Sequence, residues 1–156
     1  MQESGTTLAT IWLILLRLVE MRGIDPDQFR QRLGIARETL CDVEARLPVR
    51  LVDTAITRAA AEIGDDAFAL RAGECWHPSN LGTMGYAWLS SRTLHTGLKR
   101  MERFSRILGS RVSQRVDEEP RGVRFTFDHG RGDAAVGPLL ADFSLSILIA
   151  MCRVNA

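Results

Sequence analysis

TLHTGLKRMERFSRILGSRVSQRVDEEPRGVRFTF, residues 93–127, contains the change of period that decides the fold class. Up to Leu108 the apolar residues Leu94, Leu98, Met101, Phe104 and Leu108 recur at helical spacing, while Lys99, Arg100, Arg103 and Arg106 take the other face. Beyond Gly109 the period becomes two. Val112, Gln114 and Val116 alternate with Arg111, Ser113 and Arg115, and Val123, Phe125 and Phe127 alternate with Arg124 and Thr126. Glu118 to Gly122 reads as a turn between the two runs. Thr93–Leu108 is thus an amphipathic helix, followed by an antiparallel hairpin with one buried face. A lone hairpin is marginally stable, so more strands or a covering helix must complete it.

Just upstream, HPSNLGTMGYAWLSSRTL (residues 77–94) breaks the pattern with two glycines, an aromatic pair and several hydroxyls. His77-Pro78 ends whatever helix precedes it, because the residue before a proline resists the α region. Ser79 or Asn80 can cap a short helix over Leu81–Leu89. Gly82 and Gly85 leave one side of that helix bare for a close neighbour. Ser90-Ser91 end it through backbone bonds, and Thr93 caps the next helix.

The rest of the chain is helical in pattern. Thr6 or Thr7 caps a helix running to Arg22, apolar almost all round, with Gly23 as its stop. Asp25 and Pro26 start a helix over Asp27–Leu33 that ends at Gly34. A third short helix spans Arg37–Glu44. Leu51, Ala55, Ile56, Ala59 and Ile63 mark a helix over Arg50–Ile63, stopped by Gly64. Asp65-Asp66 cap another over Ala67–Cys75. After a glycine-rich loop, His129–Gly137, a last helix runs from Pro138 to Arg153. The class is α+β: a mostly helical single domain with a small antiparallel hairpin or sheet.

Composition narrows the function. With 156 residues, 46% apolar and 25% charged, the chain fits one globular domain and excludes disordered and fibrous classes. A net charge of +1 gives no overall pull on nucleic acid. Residues 92–131 carry ten Lys/Arg against five Asp/Glu, and the ordinary reading of that local excess is a solvated Arg-rich helix and hairpin. Three cysteines without a CxxC argue against a disulfide framework and fit a reducing cytoplasm. Cys41 and Cys152 read as small core residues. The apolar run Leu8–Val19 is too short to span a membrane and lacks the flanks of a signal peptide. The chain ends directly after a helix, which suits a piece of a longer protein.

No catalytic constellation emerges. Gly82-Thr83-Met84-Gly85 makes neither a P-loop nor a dinucleotide fingerprint, and no GxSxG elbow occurs. Cys75 and His77 are two ligands, not a metal site. His95 and His129 read as surface or satisfied histidines, and the Asp65-Asp66 and Glu118-Glu119 pairs as cap and turn. The expectation is no enzyme, no metal and no cofactor. What remains is binding: Trp12, Met84, Tyr86, Trp88 and Phe104 could line an apolar ligand pocket, or could each simply fill the core.

HPSNLGTMGYAWLSSRTLHTGLKRMERFSRILGSRV, residues 77–112, resembles the signature region of the N-terminal arabinose-binding-like domain of AraC-type transcriptional regulators. His77, Pro78, Leu81, Gly82, Gly85, Tyr86, Ser90, Ser91, Thr93, Leu94, Leu98, Arg103, Phe104 and Leu108 carry the resemblance. GIDPDQF (23–29), RLPVRLV (46–52) and GDDAFALRAG (64–73) extend it, so that it covers residues 8–150. The resemblance implies a cytoplasmic sensor domain over residues 1–156, with room for truncation at its C-terminal end. It implies an unidentified small-molecule effector, a homodimer, and DNA contact only through a helix-turn-helix domain absent from this chain. The alternative is an interaction module that dimerises without a ligand.

Overall fold

The computed structural model describes residues 5–132 and 136–155, and its architecture is α+β. In chain order the elements are β1 (Thr6–Leu8), α1 (Trp12–Glu20), α2 (Pro26–Arg32), α3 (Arg37–Cys41), β2 (Arg46–Pro48), α4 (Val49–Ile63), α5 (Thr83–Leu89), α6 (Leu94–Phe104), β3 (Ser113–Glu119), β4 (Gly122–Asp128) and α7 (Pro138–Val154). Tighter 3-10 turns occupy Ala9–Ile11, Phe68–Glu74, Pro78–Leu81 and Ser105–Ile107. One core runs through the domain, with Trp88, Phe29, Phe68, Ile14 and Leu15 among its fully buried side chains.

The first segment corrects the sequence reading. Thr6 and Thr7 do not cap a helix. They form a strand that pairs antiparallel with β2, Thr7 opposite Leu47. The other edge of the same strand bonds to residues 108–110: Leu8 N–H donates to Leu108 O at 3.0 Å and Ser110 N–H to Thr6 O at 2.8 Å. The Thr7 hydroxyl, expected at a helix end, donates to Leu108 O at 2.9 Å instead. Two β-branched residues suit this extended role. The helix begins only at Trp12, and the chain turns away at Gly23 with φ of 81°.

Elsewhere the local signals hold. The Asp25 carboxylate accepts from Asp27 and Gln28 N–H, with Pro26 in the first turn of α2. Gly64 closes α4 in the left-handed region at φ 71°. The Thr93 hydroxyl caps α6 at Thr96 N–H. Residues 68–74 differ: they coil as a 3-10 turn, not the expected α-helix. They are pressed against α7, where a Cβ on Gly73 would stand 2.5 Å from Ser146 O. The third helix stops at Cys41, and Cys41 is exposed, not core. Its neighbour Leu40 takes the inward direction, at 3% exposure.

Residues 77–94 also shift in detail. Neither Ser79 nor Asn80 caps α5, whose N-cap is Gly82; His77 caps the 3-10 turn before it, and its backbone N–H donates to Asn80 Oδ1 at 2.7 Å. Gly82 serves conformation rather than packing: at φ 58° it separates the 3-10 turn from α5. Gly85 is the packing glycine, since a Cβ there would fall 1.9 Å from Pro78 O. Both Ser90 and Ser91 hydroxyls donate to Ala87 O, as the capping reading has it.

The hairpin pairs Ser113 with Asp128 through to Glu119 with Gly122, around the two residues Pro120 and Arg121. Its completing element is a helix. On the free edge of β3, Val116 N–H donates to Glu102 Oε1 at 2.9 Å and Val116 O accepts from Lys99 Nζ at 3.1 Å. Side chains of α6 thus occupy backbone groups that a third strand would have used. The bond from Val116, with help from Lys99, holds the Glu102 carboxyl below its ordinary pKa.

Gly85→Ala has no room against the Pro78 backbone and should cost about 3 kcal/mol or more in urea unfolding, or prevent folding. Gly137→Ala, with nothing within 4 Å and a negative φ of −62°, should stay within about 0.5 kcal/mol of the parent.

Candidate functional site

A cavity of about 120 Å³ lies between the two halves of the chain. The first half supplies Thr7 of β1, Ile11 of the turn that follows, and Val49 and Val52 of α4. Leu81, Met101, Leu108 and Val112 close another side. Phe127 and His129 come from the end of the hairpin, and Leu140, Phe143, Ser144, Ile147, Leu148 and Met151 from one face of α7. The α7 residues recur at spacings of three and four, which places them along one stripe of the helix. Of the sixteen lining residues only Thr7, His129 and Ser144 are polar, so the walls are those of an apolar ligand site.

The polar groups sit at the loop that leaves β4. His129 Nε2 is 3.0 Å from Ser144 Oγ on α7, and its ring packs on Phe127 with centroids 4.4 Å apart. Two residues on, Arg131 grips Asp53 of α4 with both terminal nitrogens, at 2.5 and 2.6 Å. The loop is thereby clasped to helices on both sides of the cavity. Gly130 between them has φ of 71°, and a Cβ there would meet Arg111 O at 2.2 Å. Residues 133–135 of the expected glycine-rich loop lie outside the described residues. Burial is the main cause that lowers the pKa of His129, with the nearby Arg131 charge adding to it, so the imidazole is held neutral.

A second, larger hollow of about 450 Å³ is bordered by Phe29, Arg32, Leu33, Arg58, Ala61 and Glu62. It is a surface groove crossed by the exposed Arg32–Glu62 pair, and size alone does not favour it. The first cavity is walled by separate parts of the chain and by buried side chains, which is why it is the candidate.

None of the five residues singled out in sequence lines this cavity. Trp12, Met84 and Trp88 are in the core at 2%, 1% and 0% exposure, while Tyr86 and Phe104 are on the surface at 56% and 42%. Trp88 stands next to the wall: its indole N–H donates to the carbonyl of the lining residue Met151 at 3.0 Å. Cys75 and His77 do not converge. The Cys75 sulfur meets Met21 Sδ, and His77 Nδ1 meets Ser79 Oγ. Among the described residues, no three His, Cys, Asp or Glu side chains stand close enough to hold a metal ion, and no helix is long and apolar enough to cross a membrane. In the locally basic segment, Lys99, Arg115, Arg124 and Arg131 are each paired with an acid, and Arg100 turns inward to Ala87 O.

The sequence reading passed over Asp53 and Arg131; it took His129 as a surface or satisfied histidine, and the ring is indeed bonded to Ser144 Oγ. Phe127 was legible through strand alternation and α7 through its apolar content. The Asp53–Arg131 pair spans 78 positions and leaves no local signal.

The family model for the N-terminal arabinose-binding domain of AraC transcription regulators matches residues 23–155. No curated protein matches the chain.

Two outcomes follow from the clasp. A histidine whose folded pKa is depressed must give up its buried neutral state when protonated. Stability that His129 confers is therefore present above its ordinary value of 6.5 and lost as the pH falls below it. The urea midpoint should drop between about pH 7 and pH 5.5, and His129→Gln should flatten that drop. Asp53→Asn should cost only about 1 kcal/mol globally, because Asp53 is 40% exposed and screened. It should still raise amide exchange across residues 128–132 roughly tenfold.

Proposed function

The chain belongs to the family of N-terminal arabinose-binding domains of AraC transcription regulators, and we propose that it is the effector-sensing domain of such a regulator. The observation that carries this reading is the apolar cavity that joins β1, α4, the end of the hairpin and α7. A molecule bound there would touch segments far apart in sequence and would favour the arrangement in which the loop after β4 is closed on α4 and α7. A ligand shifts such an equilibrium only by binding one arrangement better than the other. A site shared by several elements supplies that difference.

The output leaves through α7. The helix that presents Phe143, Ile147 and Met151 to the cavity presents Leu145 and Ile149 outward, each 51% exposed. A small change in the seat of α7 therefore alters an exposed apolar row. We assign that row to contact with a second copy of the chain, and DNA recognition to a helix-turn-helix domain outside these residues, working in the cytoplasm. The family is named for arabinose, and the apolar walls do not support carrying that sugar over to this chain.

A thermal-shift screen of the chain with sugars, amino acids, fatty acids and aromatic compounds tests the reading. A true effector at 100 times its dissociation constant adds about 2.7 kcal/mol, or roughly 5–10 °C for a domain of this size. Val49→Phe, at a half-buried lining position, should fill the cavity and abolish the shift while leaving the melting temperature of the free protein within a few degrees. A dimer that forms through Leu145 and Ile149 with no ligand response would favour an interaction module instead.

A further inference from the structure

Beside the cavity lies one buried polar side chain with nothing to bond to. Gln114 of β3 is 6% exposed, and neither its amide oxygen nor its amide nitrogen meets a partner among the described residues. An amide so buried is costly unless something satisfies it. Its position is fixed by the hairpin register. Gln114 stands directly opposite Phe127, and strand alternation puts it on the same face as Val112. Phe127 and Val112 both line the cavity, while Gln114 stands one layer behind that wall, and directly opposed residues have Cβ atoms roughly 5 Å apart.

Apart from the buried Arg131 Nε, which also lacks a partner among the described residues, the other polar groups near the cavity are engaged. The Thr7 hydroxyl donates to Leu108 O, and His129 and Ser144 bond to each other. Arg131, the cation of the clasp, is held by both oxygens of Asp53. No free cation awaits a carboxylate among these groups, and no set of hydroxyls awaits a sugar. Burial keeps His129 neutral, so it supplies no charge either. A dry apolar cavity of about 150 Å³ is known to accept benzene; the room here is about 120 Å³ and opens partly to solvent, so one ring or a short chain fits the walled part.

We propose that the cavity receives a molecule of one ring or a short alkyl chain bearing a single uncharged hydrogen-bonding group, an alcohol or a ketone, and that the Gln114 amide meets that group. This deepens the effector-sensing reading and rests on it. An alcohol can give its proton to the amide oxygen or accept from the amide nitrogen, so either orientation relieves the unpartnered amide. A carboxylate would enter with no cation to receive it, and a sugar would bury several hydroxyls against apolar walls.

Calorimetric titration of the chain with 1-hexanol, hexanoate, toluene and L-arabinose tests the proposal, together with Gln114→Leu. The parent should bind toluene and 1-hexanol, and should bind hexanoate and arabinose at least about tenfold more weakly than 1-hexanol. Gln114→Leu should keep toluene binding and lose about tenfold in affinity for 1-hexanol, with a raised melting temperature showing that the fold is intact. Hexanoate or arabinose binding more tightly than 1-hexanol, toluene binding alone, or an unchanged affinity for 1-hexanol in Gln114→Leu would each overturn the proposal and leave the sensing reading standing. No binding by any of the four probes would overturn both.

Discussion

The domain is held together by a short N-terminal strand that is bonded on both edges. On one side Val49 N–H donates to Gly5 O and Ala9 N–H to Ala45 O, at 2.9 Å each. On the other, Leu8 and Ser110 donate across to and from residues 108–110, and Thr6 N–H reaches the Ser110 hydroxyl. Backbone groups in such a place must find partners, because water cannot replace them inside the fold. The strand therefore stitches the start of α4 to the segment between α6 and the hairpin. Besides that stitch the hairpin is held by α6 along its edge and by the loop after β4, which bonds to α4 and α7. The cavity owes its location to the same strand: Thr7, Ile11, Val49, Leu108 and Val112 all lie on or beside it.

Leaving space there works against folding. The cavity is partly open to solvent, and the apolar side chains around it forgo contacts that a filled core would make. Larger side chains at Val49, Val52 or Ile147 could fill it. A second expense adds to the first, in the unpartnered amide of Gln114. Tolerated voids and unsatisfied polar groups are where a fold departs from its most stable sequence, and such departures gather at functional sites. The Arg131–Asp53 and His129–Ser144 contacts offset part of the loss by fixing the loop above the cavity.

The elements that announce themselves locally were legible in the sequence. Asp25-Pro26, Gly64 and Thr93 mark helix ends by chemistry confined to a few residues, and the alternation after Gly109 marks the hairpin. The misreadings share one physical cause. Thr6–Leu8 is a strand because of partners some 40 and 100 positions away, so its apolar neighbours in α1 made the run look like one helix. Residues 68–74 are wound tighter than their composition suggests because α7 presses on Gly73. The candidate site suffers most from this, since its walls come from both halves of the chain. Aromatic content drew attention to Trp12, Tyr86, Trp88 and Phe104, whereas the cavity is walled mainly by aliphatic side chains, with an ion pair across the fold holding the loop beside it.

The aromatic segment still bears on the site, one layer back. Trp88 is fully buried, and its ring rests on Gly97 of α6, where a Cβ would come within 3.0 Å. Its indole N–H holds the carbonyl of Met151, and its own carbonyl accepts from the Asn155 amide at 2.9 Å. Both partners belong to the C-terminal end of α7. Gly85 lets α5 settle on the Pro78 backbone, which sets the depth at which Trp88 stands. The segment 77–94 thus anchors the far end of the helix whose middle lines the cavity and whose outer face carries Leu145 and Ile149. The same helix is held at its middle by residues 68–74, where Gly73 lies against Ser146 O and Ser146 Oγ donates to Ala69 O at 3.2 Å. The cavity face of α7 is thus backed by a tight contact on one side and an indole hydrogen bond at its end.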